Sequence, residues 1–150
     1  MEKRRKAREQ IVQILYQMDA AGVQALEALK LYESNFCSPR ILSDFVREQV
    51  LGIADHLAEL DRMVTEHAEN WRLGRMSAVD RNILRMAVYE LLFRDDIPPI
   101  VSINEAIDLS KKFGTDESGG FVNGILDSIY KAMQEQTPDK ENNDEQVHRE

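Results

Sequence analysis

Five cations crowd the first ten residues: Lys3, Arg4, Arg5, Lys6 and Arg8, against Glu2 and Glu9. A guanidinium is a planar fork of N–H donors that matches two phosphate oxygens at once. Read as a helix, Arg5, Arg8, Val12 and Tyr16 run along one stripe beside the apolar face, with Arg4 between that stripe and the core. A tyrosine on such a stripe offers a ring on which an unpaired base can stack. The pattern suits a polyanion. RNA and DNA both fit it, and so does a solvated helix end with no partner. One physical point favours a partner: cations at a helix N-terminus oppose the macrodipole at about 0.3–1 kcal/mol each.

Little else in the chain has spacing suited to chemistry. His56 and His67 form no HExxH pair, and Glu66 adjoins His67 instead of standing three residues away. They read as surface histidines, and His148 as solvated. Cys37 is the single cysteine, which excludes an intramolecular disulfide and a cysteine zinc site and fits a reducing compartment. Gly119-Gly120 has neither the Lys-Ser/Thr nor the strand of a phosphate loop, so it reads as helix-cap chemistry. Arg81 and Arg85, one helical turn apart, read as ion-pair partners for acids on neighbouring helices. No catalytic constellation, metal site or cofactor is expected.

The elements that position the basic run are helical almost throughout. The 150 residues carry a net charge of −8, with 43% hydrophobic and 31% charged residues, the balance of a globular domain. No apolar run is long enough to span a membrane, and the basic start is not followed by a signal-peptide core. Ala7, Ile11, Ile14, Leu15 and Met18 share one helical face that stops near Gly22. A second helix is expected over 23–33 with Leu26, Leu29 and Tyr32 inward. Ser38-Pro39 reads as the start of a third, which carries Phe45, Val46, Val50 and Ile53 and in which Gly52 marks close packing. Leu57, Leu60, Val64 and Ala68 mark a fourth. After Trp71–Met76, Ser77 caps a helix whose broad stripe from Val79 to Leu91 suggests a central position. Ser102–Glu105 is a capping box after the block at Pro98-Pro99, and its helix ends at Phe113-Gly114. Val122 to Met133 form the last apolar face. The fold class is all-α, about seven helices. A seam near 71–76 divides a three-helix N-terminal part from a four-helix C-terminal part, both within a domain spanning 1–135. The segment 136–150 is an acidic tail expected to be disordered.

Several of these segments resemble the NusB family of transcription antitermination factors. The likeness lies in Arg4-Arg5-Lys6-Ala7-Arg8-Glu9 with Leu15-Tyr16, Trp71-Arg72-Leu73 with Arg75-Met76, Asp80 through Leu91, Ile103–Ile107, Phe113-Gly114 and Phe121–Asp127. It covers about residues 3–133. The resemblance implies an all-helical fold of two small subdomains sharing a compact core. It implies binding of the boxA element of ribosomal RNA leaders together with NusE, a protein also found in the small ribosomal subunit. RNA polymerase would be reached through other Nus factors, in the cytoplasm and without a cofactor. Carried over residue by residue, Arg5 and Arg8 are the expected phosphate contacts, supported by Lys3, Arg4 and Lys6. Tyr16 and Phe121 would lie along the RNA, Asp80 would meet NusE, and Glu117 would lie in a functionally sensitive loop.

Two other functions compete with this one. A NusB-like domain also fronts certain rRNA cytosine methyltransferases; the 150 residues hold no cysteine–proline pair to attack cytosine, and the expectation is that no catalytic domain follows. The other is a non-enzymatic interaction module or homodimer of the same fold, without specific RNA binding.

Overall fold

The computed structural model describes residues 2–36, 43–68 and 76–136. Cys37, the Ser38-Pro39 signal, residues 71–75 of the expected seam and residues 137–150 of the expected tail lie outside the described residues. Seven helices and no strand are found among those described. They are α1 (Glu2–Ala21), α2 (Ala25–Phe36), α3 (Asp44–Asp55), α4 (Leu57–His67), α5 (Ala78–Phe93), α6 (Pro99–Phe113) and α7 (Ser118–Gln136).

Local chemistry accounts for most boundaries. Gly22, at φ +70°, closes α1 in the left-handed region that glycine enters without a Cβ clash, and its N–H reaches the Met18 carbonyl at 2.9 Å. The Ser77 hydroxyl accepts from the Asp80 N–H at 3.1 Å and starts α5. Gly114 ends α6. Helix α3 starts later than the Ser38-Pro39 signal implied: it begins at Asp44 and is capped by Ser43, whose hydroxyl accepts from the Val46 N–H.

Two expectations are corrected. Helix α6 begins at Pro99, with Pro98 as N-cap, so the two prolines start the helix. The Ser102 N–H already bonds the Pro98 carbonyl, which places the apparent capping box inside the helix. Its serine and glutamate bond to other helices instead. Helix α2 starts two residues later than expected and turns Leu26 to solvent, while Ala25, Ala28, Leu29 and Tyr32 pack inward. The inward face of α2 begins at Ala25, a small residue that allows close approach to α1 and α3.

Helix α5 is central, packed on α1, α3, α4, α6 and α7. It buries Ile83, Leu84, Met86, Ala87, Val88 and Leu91 together with Asn82, Arg85 and Glu90. Gly52 of α3 is where Tyr89 of α5 passes: a Cβ there would lie 2.7 Å from the ring Cε1 and closer still to the hydroxyl end. Helix α4 packs on α5 and α7 and α1 packs on α3 and α5. Among the described residues four helices precede residue 71 and three follow it, which corrects the expected division of three and four.

Candidate nucleic-acid interface

The basic opening lies on α1, whose side chains reach α6 through Arg5 and Glu9. The backbone of Lys3 is helical, and its side chain lies outside the described residues. Arg4 is exposed. Its guanidinium carbon stands 4.6 Å from the Phe45 ring centre, and Asp96 lies 3.9 Å away. Arg5 donates from Nε and Nη2 to the Glu105 carboxylate at 3.2 and 3.3 Å, and from Nη2 to Asp108 at 3.1 Å. Its side chain is still 56% exposed, and the Glu105 hydrogen bond, followed by the Glu105 and Asp108 charges, holds its pKa above the ordinary arginine value. Lys6 is exposed.

Arg8 is the correction. It is 2% exposed, and both of its used donors meet Glu90, Nε at 3.0 Å and Nη2 at 2.9 Å. Glu90 also accepts from Gln49 at 2.9 Å and Ser102 at 2.7 Å, so one carboxylate ties α1, α3, α5 and α6 together. The stripe inferred for Arg5, Arg8, Val12 and Tyr16 is split: Arg8 and Val12 face the core, Arg5 and Tyr16 face solvent. Helix α1 is packed against α3 and α5 and bonded to α6, so its buried face is wider than a single apolar stripe. The macrodipole argument for an external anion is corrected with it. Arg4, Arg5 and Arg8 already face Asp96, Glu105 with Asp108, and Glu90 within the chain.

Lys111 and Lys112, in the last turn of α6, were missed in the sequence. Two lysines at a helix C-terminus, where the dipole favours cations, were the available signal. Lys112 Nζ lies 2.6 Å from Glu9 of α1 and 5.4 Å from the Phe113 ring centre. The Lys111 stem crosses the start of α7, and a Cβ on Gly119 would sit 3.3 Å from Lys111 Cγ. From this cationic end the surface continues into aromatic ground. Tyr16, 46% exposed, lines a cavity of about 250 Å³ with Val12, Gln13, Val79 and Phe113. One residue beyond Val79, Asp80 borders a second cavity, about 210 Å³, with Met76, Ser77, Thr115, Glu117, Ser118 and Phe121.

Asp80 is buried, and its Oδ2 accepts from the Ser118 hydroxyl at 3.1 Å, which joins the starts of α5 and α7. Glu117 is exposed just before α7 and Phe121 is half-buried. The structure thus gathers Phe121, Asp80 and Glu117 around one cavity. Tyr16 opens on the neighbouring one, and Arg4, Arg5 and Lys6 lie further along α1.

Arg81 and Arg85 behave as ion-pair partners. Arg81 meets Asp19 at 2.5 Å, and Arg85 meets Asp61 at 2.7 Å and Asp19 at 3.4 Å. Burial pushes the Asp19 carboxyl up, but the Arg81 hydrogen bond and the Arg81 and Arg85 charges outweigh it and leave the carboxyl below its ordinary value. Among the described residues no three His, Cys, Asp or Glu side chains gather to hold a metal, and no helix is long and apolar enough to cross a membrane.

The NusB family model matches residues 5–131, which is most of the chain. The chain belongs to the NusB family. The transcription antitermination protein NusB of Desulfatibacillum aliphaticivorans is 52% identical over 130 residues, covering 87% of this chain and 91% of that one. The NusB of Geobacter sulfurreducens is 45% identical over 141 residues, covering 91% and 97%. Among solved structures, T. maritima NusB superposes with a TM-score of 0.74 at 38% identity, covering 85% of this chain and 90% of that one. A crystal structure of antitermination factors NusB and NusE in complex with dsRNA superposes at 0.77 and 30% identity, covering 88% and 98%. The all-helical class read from the sequence is therefore the NusB fold.

Proposed function

We infer that the chain acts in transcription antitermination by binding boxA RNA of ribosomal leader transcripts together with NusE. RNA polymerase is reached through other Nus factors. It is a transcription antitermination factor of the NusB family, working in the cytoplasm by binding and not by catalysis. The observation that carries the RNA surface is the run of exposed Arg4, Arg5 and Lys6 on α1 toward Lys111 and Lys112, continuing into the cavities lined by Tyr16 and Phe121. Cations along a backbone path followed by rings that accept unstacked bases suit a single strand. Asp80 and Glu117 form the proposed contact with NusE, beside Phe121 at the end of that path. The two-subdomain organisation with a seam near 71–76 and an acidic tail over 136–150 is part of the same reading.

The test is a fluorescence titration with boxA RNA and a scrambled strand, with and without NusE, at two salt concentrations. About three or four phosphates neutralised give a log affinity against log salt slope near −2 to −3. Because the body of the chain is acidic, affinity for boxA RNA should be modest alone and should rise when NusE, as a basic partner, extends the positive surface. Equal affinity for the scrambled strand, unchanged by NusE, would refute the reading. One observation favours a second reading, an interaction module or homodimer without specific RNA binding: the described arginines of the opening all face carboxylates of their own chain.

A further inference from the structure

The guanidinium of Arg5 has two edges, and two carboxylates divide them. Glu105 takes the side edge through Nε and Nη2. Asp108 takes the remaining hydrogen of Nη2, on the end edge. Among the described residues the two N–H groups of Nη1 meet no acceptor. With the side edge taken by Glu105, the end edge, Nη1 with Nη2, is the one left for a phosphate to engage with two parallel bonds. The carboxylates also differ in setting: the Glu105 side chain is 10% exposed, that of Asp108 53%. Releasing Glu105 would leave a largely buried carboxylate unpaired, whereas Asp108 can turn into water at little cost.

We propose that Glu105 and Asp108 have opposite roles toward Arg5: Glu105 is a positioning residue that aims its end edge outward, and Asp108 occupies the seat of a backbone phosphate until RNA displaces it. This rests on the RNA-binding reading above. Arriving RNA then exchanges one carboxylate for one phosphate on an arginine already held in place. That exchange keeps the side-chain ordering cost low.

Opposite signs make the proposal testable. Asp108→Asn removes the competitor and should tighten boxA RNA by about two- to fivefold, the range of an exposed ion pair. Glu105→Gln removes the aim and should weaken it by about threefold or more. The salt slope should become shallower by about 0.7, one phosphate contact on a single strand. Glu105→Asp keeps the charge but shortens the side chain, and should also weaken binding, which a purely electrostatic account does not expect. It also serves if the glutamine variant fails to fold by circular dichroism. The Arg5 Nε–H resonance should stay protected in D108N and lose protection in E105Q. All titrations use the full chain with NusE, against a scrambled strand. If the wild type discriminates boxA but E105Q and D108N both tighten it, or D108N leaves it unchanged, the division of roles is overturned while the RNA reading stands. If the wild type does not discriminate, both fall together.

Discussion

The pair of Arg8 and Glu90 gives the most demanding test of how the basic opening is built. Both side chains are sealed from solvent, at 2% and 0% exposure, and Glu90 accepts four hydrogen bonds. Glu90→Gln leaves the Arg8 charge buried with a single neutral acceptor; Arg8→Met leaves a buried carboxylate with only Gln49 and Ser102. Removing one partner of such a pair costs about 3–5 kcal/mol. Against a total stability of about 5–15 kcal/mol, that is a large fraction, and it corresponds to a fall in Tm of roughly 6–20 °C. The double variant R8M/E90Q has no buried charge, and its amide oxygen still accepts from Ser102 or Gln49. It should cost no more than either single change, so the coupling in the cycle should reach several kcal/mol, above the ~0.5–3 usual for neighbours. Urea and thermal unfolding followed by circular dichroism measure all three. Single costs below about 1 kcal/mol, or additive costs, would refute the reasoning. The folded double variant should also keep boxA affinity within about twofold and an unchanged salt slope. A shallower slope would place Arg8 on the RNA after all.

Other expectations follow from the same contacts. Asp19 accepts from Arg81, Arg85 and Asn82, and Asp19→Asn should destabilise the chain by about 1–3 kcal/mol at neutral pH. The Asp19 carboxyl is held below its ordinary 3.8, so its contribution is present above that value and is lost as pH falls through the lower folded value. Wild-type and D19N stabilities should therefore converge in acid, and convergence in alkali instead would show the sign to be wrong. Gly52→Ala sets a methyl group against the Tyr89 ring and should cost about 1–3 kcal/mol, read as a lowered Tm with RNA affinity per folded molecule unchanged.

Much of this molecule was legible in its residues. Helical period alone gives seven helices, because apolar residues three and four apart must face a common core. Ser77, Gly22 and Gly114 mark ends through bonds made within a few residues, so no distant partner is needed to read them. The breadth of the 79–91 stripe already makes α5 central. The motifs from Arg4 to Asp127 are enough to indicate the family.

Only the tertiary structure decides what each face meets. Arg8 and Arg5 look equivalent in sequence, three residues apart in one basic run. Their fates differ because Glu90 lies 82 positions away at the junction of four helices, while Glu105 and Asp108 stand on the rim of α6. Ser102 and Glu105 are read as a capping box for the same reason: their spacing is local, but their partners are Glu90 and Arg5 on other helices. Periodicity sets the direction in which a side chain leaves its helix. Whether it then finds water, a phosphate or a buried carboxylate depends on how the helices pack, since burying an arginine is tolerable only where an acid from elsewhere in the chain arrives to meet it.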